Sequence, residues 1–214
     1  MMKGKFYDFR LKNASSMLVC GPTQSGKSTF VNGLLNNLQI FEVEPKAIYW
    51  FYGQYNDDLS FKPYIINEGL PESFRNIEPY SVIVLDDLME EAKNHAGVTE
   101  LFTRLVHHKR LFVINISQNF YQQSKDARTR RLNSQYIVLF KNPADVTQVN
   151  TLARQMYPSN SKFLPSVYNE VTKRAHGYLF IDLRQETADE IRIRSNILPH
   201  EFPMIIFHNR SFCA

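Results

Sequence analysis

Apolar positions along the chain cluster in short, nearly continuous runs separated by stretches of helical period. The runs occupy 16–20, 47–52, 81–85, 111–116 and 136–140, each dense in β-branched and aromatic residues. Strands of that kind are covered on both faces, as in a mainly parallel sheet held between helical layers. Apolar residues recur at helical spacing over about 27–38, 95–108, 144–156 and 162–175, which predicts four helices. The end of the chain reads differently. Runs at 178–183 and 191–194 flank a polar turn and are expected to pair as a hairpin, with 204–207 as a last strand. No repeat, low-complexity tract or linker-like stretch interrupts this pattern. Residues 1–214 therefore read as one α/β domain, with a core at about 14–160 and a C-terminal helix and β extension at about 161–214.

Composition changes this picture little. With 43% hydrophobic and 21% charged residues the chain suits a globular domain. A domain of 214 residues buries roughly 70% of its unfolded surface, enough to fold without disulfides or metal. The two cysteines, Cys20 and Cys213, lie far apart, which argues against a disulfide framework and for a reducing compartment. The start breaks into charge at Lys3, Lys5 and Asp8 before any apolar run develops. No stretch approaches the ~20 apolar residues of a membrane span. A soluble, intracellular protein without a membrane partner is the expectation. Charge does add something. Of a net +4, the segment 101–135 carries seven Lys/Arg against Asp126 alone. A basic segment on a near-neutral body points to an anionic partner, polyphosphate or nucleic acid.

Candidate chemistry begins where the first run ends. Gly21-Pro22-Thr23-Gln24-Ser25-Gly26-Lys27-Ser28 satisfies G-x-x-x-x-G-K-[ST] in full. The glycines let backbone N–H groups curl around a phosphate, and the helix that follows, through Thr29, points its positive end at it. Lys27 would reach the β- and γ-phosphates, and the Ser28 hydroxyl would ligate Mg²⁺. The third run, 82–85, ends in two carboxylates, Asp86 and Asp87, which is the Walker B arrangement. Asp86 takes the metal role and Asp87 the role of general base toward water. The strand at 47–52, intervening between these two motif strands, marks the additional-strand division of P-loop NTPases, with RecA- and FtsK-like proteins. The expected sheet order, counting the five runs along the chain, is 5-1-4-3-2. No Asn-Lys-x-Asp guanine-reading motif is present, which favours ATP over GTP.

The fourth run ends in Ser117, Gln118 and Asn119. An amide at that strand end lies beside the other two motif ends, so Gln118 is the candidate γ-phosphate sensor. Phosphoryl transfer also needs a cation against the charge developing on the γ-oxygens, often from a neighbouring subunit. The candidates are Arg128 first, then Arg130, Arg131, Arg110 and Lys109. His107-His108 have no partner spacing for a metal and read as a helix C-terminus. Tyr49-Trp50-Phe51-Tyr52 reads as alternating faces of a strand rather than a base-stacking platform. Cys20 reads as strand packing.

Taken together, these blocks resemble a known family. Gly21–Ser28, Val84-Leu85-Asp86-Asp87-Leu88-Met89, His107-His108-Lys109-Arg110 and Ile116-Ser117-Gln118-Asn119-Phe120 are similar to the FtsK–HerA superfamily. More narrowly they resemble the genome-packaging ATPases of Polinton/Maverick elements, adintoviruses and related double-stranded DNA viruses. The likeness continues through 132–143, 152–158 and 177–183, and so spans about 14–199. It implies a motor that threads double-stranded DNA into a preformed capsid, working as a homo-oligomeric ring (pentamer or hexamer) docked on a capsid vertex or portal component. It places the protein at the host-cell site of virion assembly. It implies Lys27 and Ser28 in Walker A, Asp86 and Asp87 in Walker B, Gln118 as sensor and Arg128 at a family arginine before Leu132-Asn133. The chain departs from the family at Lys109, at Arg130-Arg131 and at Ala144. A HerA-like cellular DNA pump and a P-loop switch that moves no DNA are the other readings. The stretch after the core lacks the clustered acids of a terminase nuclease.

Overall fold

The computed structural model describes residues 7–53, 64–88, 91–92, 95–121 and 133–207. Five buried strands form its centre: β1 (Ser15–Cys20), β2 (Ile48–Tyr52), β4 (Val82–Asp86), β5 (Phe112–Ser117) and β6 (Tyr136–Phe140). They run parallel in the order β6-β1-β5-β4-β2. That is the expected 5-1-4-3-2 arrangement. The strand separating β1 from β4 in space is β5, whereas β2, which intervenes in sequence, lies outside β4. Beyond β2 sits β3 (Ile65–Glu68), a parallel edge strand for which the sequence pattern provides no signal. It is short and largely exposed, and in sequence it follows Pro63, so neither alternation nor a long apolar run marks it.

On the other side the sheet continues in antiparallel fashion through β7 (Tyr178–Asp182), β8 (Ile193–Ser195) and β9 (Met204–Ile205). The expected hairpin is therefore present, and it extends the main sheet rather than forming a separate one. Alternation along each strand distributes side chains to two faces. Met17, Val19, Trp50, Val84, Ile114, Val138 and Phe180 face α1 (Lys27–Leu35). On the opposite face Leu18, Ile137, Leu139, Leu179 and Ile181 pack on α3 (Thr147–Met156) and α4 (Phe163–Val171), while Phe51, Ile83, Leu85 and Val113 pack on α2 (96–108). Trp50 and Phe51 thus fall into different clusters, each buried, which removes the aromatic run as a stacking surface.

The helices begin and end for local reasons. The His95 imidazole accepts the Val98 N–H at 3.3 Å and caps α2. Its middle turn, Leu101–Leu105, is π-helical, between Ala96–Glu100 and Val106–His108. A helix expected from 144 starts only at Thr147, because Asn142-Pro143 holds a turn and Asp145 accepts the Thr147 N–H at 3.0 Å. No helix among the described residues is long and apolar enough to cross a membrane.

The antiparallel part is held by a buried ionic knot. Asp182, with no exposed surface, accepts from Arg184 at 2.7 Å and from Arg194 at 2.9 Å. Both guanidinium groups lie over aromatic rings, Arg184 over Tyr136 and Arg194 over Phe180. Removing the carboxylate would leave two desolvated cations facing each other. Asp182→Asn should therefore cost about 3–5 kcal/mol of stability in chemical denaturation. Breaking the exposed Glu170–Lys173 pair with Lys173→Ala should cost less than about 1 kcal/mol. Equal effects of the two substitutions would mean the knot does not hold the sheet.

Candidate active site

The three candidate motifs meet through strand register. Cys20 pairs with Ser117 across β1 and β5, and Asp86 pairs with Ile116 across β4 and β5. The loop after Cys20, the carboxylates at 86–87 and the amide at 118 therefore leave the same edge of the sheet, side by side. Parallel strands stand about 4.8 Å apart, so β1 and β4, separated by β5, are about 10 Å apart at that edge. The Gly21 N–H donates to Ser117 O at 3.2 Å, which starts the loop directly from the ladder.

The loop itself needs its glycines at two points. A Cβ on Gly21 would lie 2.6 Å from Phe140 Cβ, and Gly26 has φ +103°, open to glycine and strained for other residues. Gly26 is also the N-cap of α1, and no side chain caps the helix. The first-turn N–H groups of a helix have no intrahelical partner, and here they belong to residues at 27–29. Lys27 Nζ donates to Gly21 O at 2.7 Å and Pro22 O at 2.8 Å, curling back over the loop. Burial pulls the Lys27 ammonium below its ordinary pKa, and the charges of Asp86 and Asp87 oppose that shift. The Ser25 hydroxyl is buried without a hydrogen-bond partner among the described residues. Uncapped N–H groups, an ammonium and an orphaned hydroxyl form a donor set suited to a polyphosphate.

The acidic side is built differently. Burial pushes the Asp86 carboxyl up to about 6, and the charge of Asp87 adds to the rise. The Trp50 indole N–H and the charge of Lys27 pull it partly back, though the indole approach falls short of a regular hydrogen bond. A half-buried carboxylate with no ion pair among the described residues suits a divalent cation. Asp87 is exposed and has φ +53°, a left-handed conformation that turns its side chain off the strand. Gln118 Nε2 donates to Asp87 Oδ2 at 3.3 Å. The amide read as a phosphate sensor thus contacts the acid read as the base.

The remaining candidates are dispersed. Lys109 and Arg110 sit at the start of β5, the opposite edge of the sheet. Lys109 Nζ donates to Arg75 O and Ile77 O at 2.5 and 2.6 Å, and the Arg110 guanidinium lies 5.9 Å from the centre of the Tyr80 ring. Arg128, Arg130 and Arg131 lie outside the described residues. His107 and His108 close α2, and no cluster of three metal-ligating side chains occurs among the described residues. Burial pushes the Cys20 thiol up to about 12, which makes it strand packing. One contact had no sequence signal. The His176 ring lies 3.1 Å from Ser25 O by Nδ1, brought there from 151 residues away.

No protein-family model matches the chain, and no curated protein sequence does. In structure it is similar to the genome packaging NTPase B204 from Sulfolobus turreted icosahedral virus 2. Against the sulfate complex of B204 the TM-score is 0.54 at 15% identity, covering 92% of this chain and 100% of that one. Against the AMPPCP complex it is 0.53 at 14% identity, covering 86% and 97%. The ATP-gammaS complex gives 0.50 at 15%, covering 85% and 96%. The fold is that of a P-loop NTPase.

The buried acid leads to a stability prediction. The folded Asp86 carboxyl binds its proton more tightly than the unfolded chain does, with a pKa near 6 against 3.8. Stability is therefore lost as pH rises through that window, and the full cost is present at neutral pH. Asp86→Asn should stabilise the nucleotide-free protein at neutral pH by on the order of 1–3 kcal/mol. Below pH about 4, where the native carboxyl is already protonated, the gain should vanish. Denaturation curves at the two pH values check this, and a substitution that destabilises at neutral pH would contradict it.

Proposed function

We propose that this chain is an ATP-hydrolysing motor that translocates double-stranded DNA and packages a genome into a capsid. The observation that carries the reading is the common edge at which β1, β5 and β4 release the loop 21–28, Gln118 and Asp86-Asp87. Two further things support it: the resemblance of the later sequence blocks to the FtsK–HerA superfamily, and the fold shared with a protein named as a genome packaging NTPase.

In this reading Gly21, Pro22, Thr23, Gln24, Ser25, Gly26, Lys27, Ser28 and Thr29 bound the phosphate site. The N–H groups of its second half, from Gly26 to Thr29, face the phosphates, while the Gly21 N–H stays in the ladder and Pro22, without an N–H, shapes the turn. Lys27 leaves the Gly21 and Pro22 carbonyls for the β- and γ-phosphates. Ser28 and Asp86 hold Mg²⁺, which supplies positive charge to the phosphate oxygens. Asp87 accepts the proton of the attacking water, and Gln118 fixes one of its oxygens so that the other meets that water. A cation from a neighbouring subunit completes the site, with Arg128 the first candidate. Lys109 is the weakest, since its ammonium already serves two carbonyls. The working unit is then a homo-oligomeric ring around duplex DNA, docked on a capsid vertex or portal component where virions assemble.

Lys27→Ala should abolish ATP turnover. Asp87→Asn should slow it by about 10²- to 10⁴-fold while nucleotide binding persists. Turnover per subunit should rise with protein concentration, because the site is shared, and rise again on addition of duplex DNA. A rate indifferent to duplex DNA would reject translocation in favour of a switch.

A further inference from the structure

Beside the phosphate loop, on the side away from the acids, lies a cavity of about 410 Å³ lined by Arg174, His176, Asn196, His200 and Phe202. Ligand sites for small molecules start at about 300 Å³. Two straps form it. The turn before β7 sets His176 against Ser25 O and against Gly26, and the stretch after β8 seats Leu198 on α1 at Gly33. Its floor is braced: Arg174 donates to Asn196 Oδ1 at 2.6 Å and to Glu201 Oε1 at 2.7 Å, and the Tyr178 hydroxyl also donates to Glu201. At its rim Phe202 is 91% exposed, the most exposed large apolar side chain among the described residues.

Direction decides what enters this cavity. β1 has β5 on one side and β6 on the other. Asp86, Asp87 and Gln118 stand on the β5–β4 side, so the γ end of a triphosphate on the loop faces that way. Its other end must leave toward β6 and β7, where the two straps meet. We propose that the cavity between His176 and Phe202 is the nucleoside subsite, in which the base stacks on the Phe202 ring and the His176–Ser25 contact joins it to the phosphate loop. An exposed aromatic face beside a polar cavity is suited to a base, which offers a π-face and polar edges.

This inference rests on the phosphate loop binding a triphosphate, and the test separates the two. Calorimetric titration of the full chain with Mg²⁺ and either ATPγS or inorganic tripolyphosphate reads the nucleoside and the phosphates apart. Phe202→Ala should weaken ATPγS about tenfold, within the range of one aromatic–base stack, and leave tripolyphosphate unchanged. Phe202→Tyr should restore ATPγS binding. Because Phe202 is almost fully exposed, its truncation leaves the core intact. Unchanged ATPγS affinity in Phe202→Ala would place the base elsewhere and overturn the subsite, even if subunit assembly changed. Equal weakening of both ligands would also overturn it, by making Phe202 a support of the loop. If the wild-type chain binds neither ligand, or Lys27→Ala binds both as well as wild type, the phosphate-loop reading fails and the subsite with it.

Discussion

One hydrogen-bond register holds the site together. Cys20 opposite Ser117 and Asp86 opposite Ile116 bring three chain segments, remote in sequence, to the same edge of the sheet. Side chains alternate with period two along a strand, so a slip of one residue would send every buried side chain of that strand to the wrong face. Slipping β4 against β5 would move Val82 and Val84 off α1 and Ile83 and Leu85 off α2. The core therefore enforces the register, and the register places the loop, the acids and the amide. No contact among those groups themselves is strong enough to do so. The Gln118–Asp87 bond, at 3.3 Å between exposed side chains, follows from the alignment rather than causing it.

The price of that alignment is concentrated at the edge it creates. Asp86 is a carboxyl held where burial opposes its charge. Lys27 is an ammonium held where burial opposes its own, and each relieves the other only in part. Gln24 and Asp87 both occupy left-handed backbone without being glycine. Such features cost free energy individually and persist because the surrounding sheet over-determines them. What marks the site physically is that a buried carboxyl and a buried ammonium meet left-handed backbone at the edge where the phosphate loop leaves the sheet.

What could be read from the residues follows the strength of the local signals. The five buried strands were legible because two-sided burial writes long apolar runs, and the phosphate loop because its geometry tolerates few other residues at Gly21, Gly26, Lys27 and Ser28. Their order across the sheet followed from the class those motifs imply. β3 was not legible, since an edge strand largely in solvent needs no pattern. The start of α3 was displaced by a turn in which Asn142 and Asp145 hydrogen-bond nearby backbone N–H groups. The π-helical turn within α2 and the approach of His176 to Ser25 left no trace at all, because both depend on tertiary packing. Charge in the sequence makes Lys109 a candidate cation, and it carries no sign that the ammonium also braces the 75–77 backbone.

The antiparallel extension explains how so compact a chain can surround its phosphate loop. β7 pairs with all five residues of β6, the strand next to β1, and the Asp182 knot fastens β7 to β8. The segment entering β7 carries His176 onto the loop, and the segment leaving β8 carries Leu198 onto the helix that the loop begins. Both ends of this hairpin therefore touch the same phosphate-binding element, from the side opposite the acids. The loop is thus in contact on one side with β5 through the ladder, and on the other with the segments flanking β7 and β8 through the two straps. The extension sets the loop between two arms of a single sheet, with contacts to both.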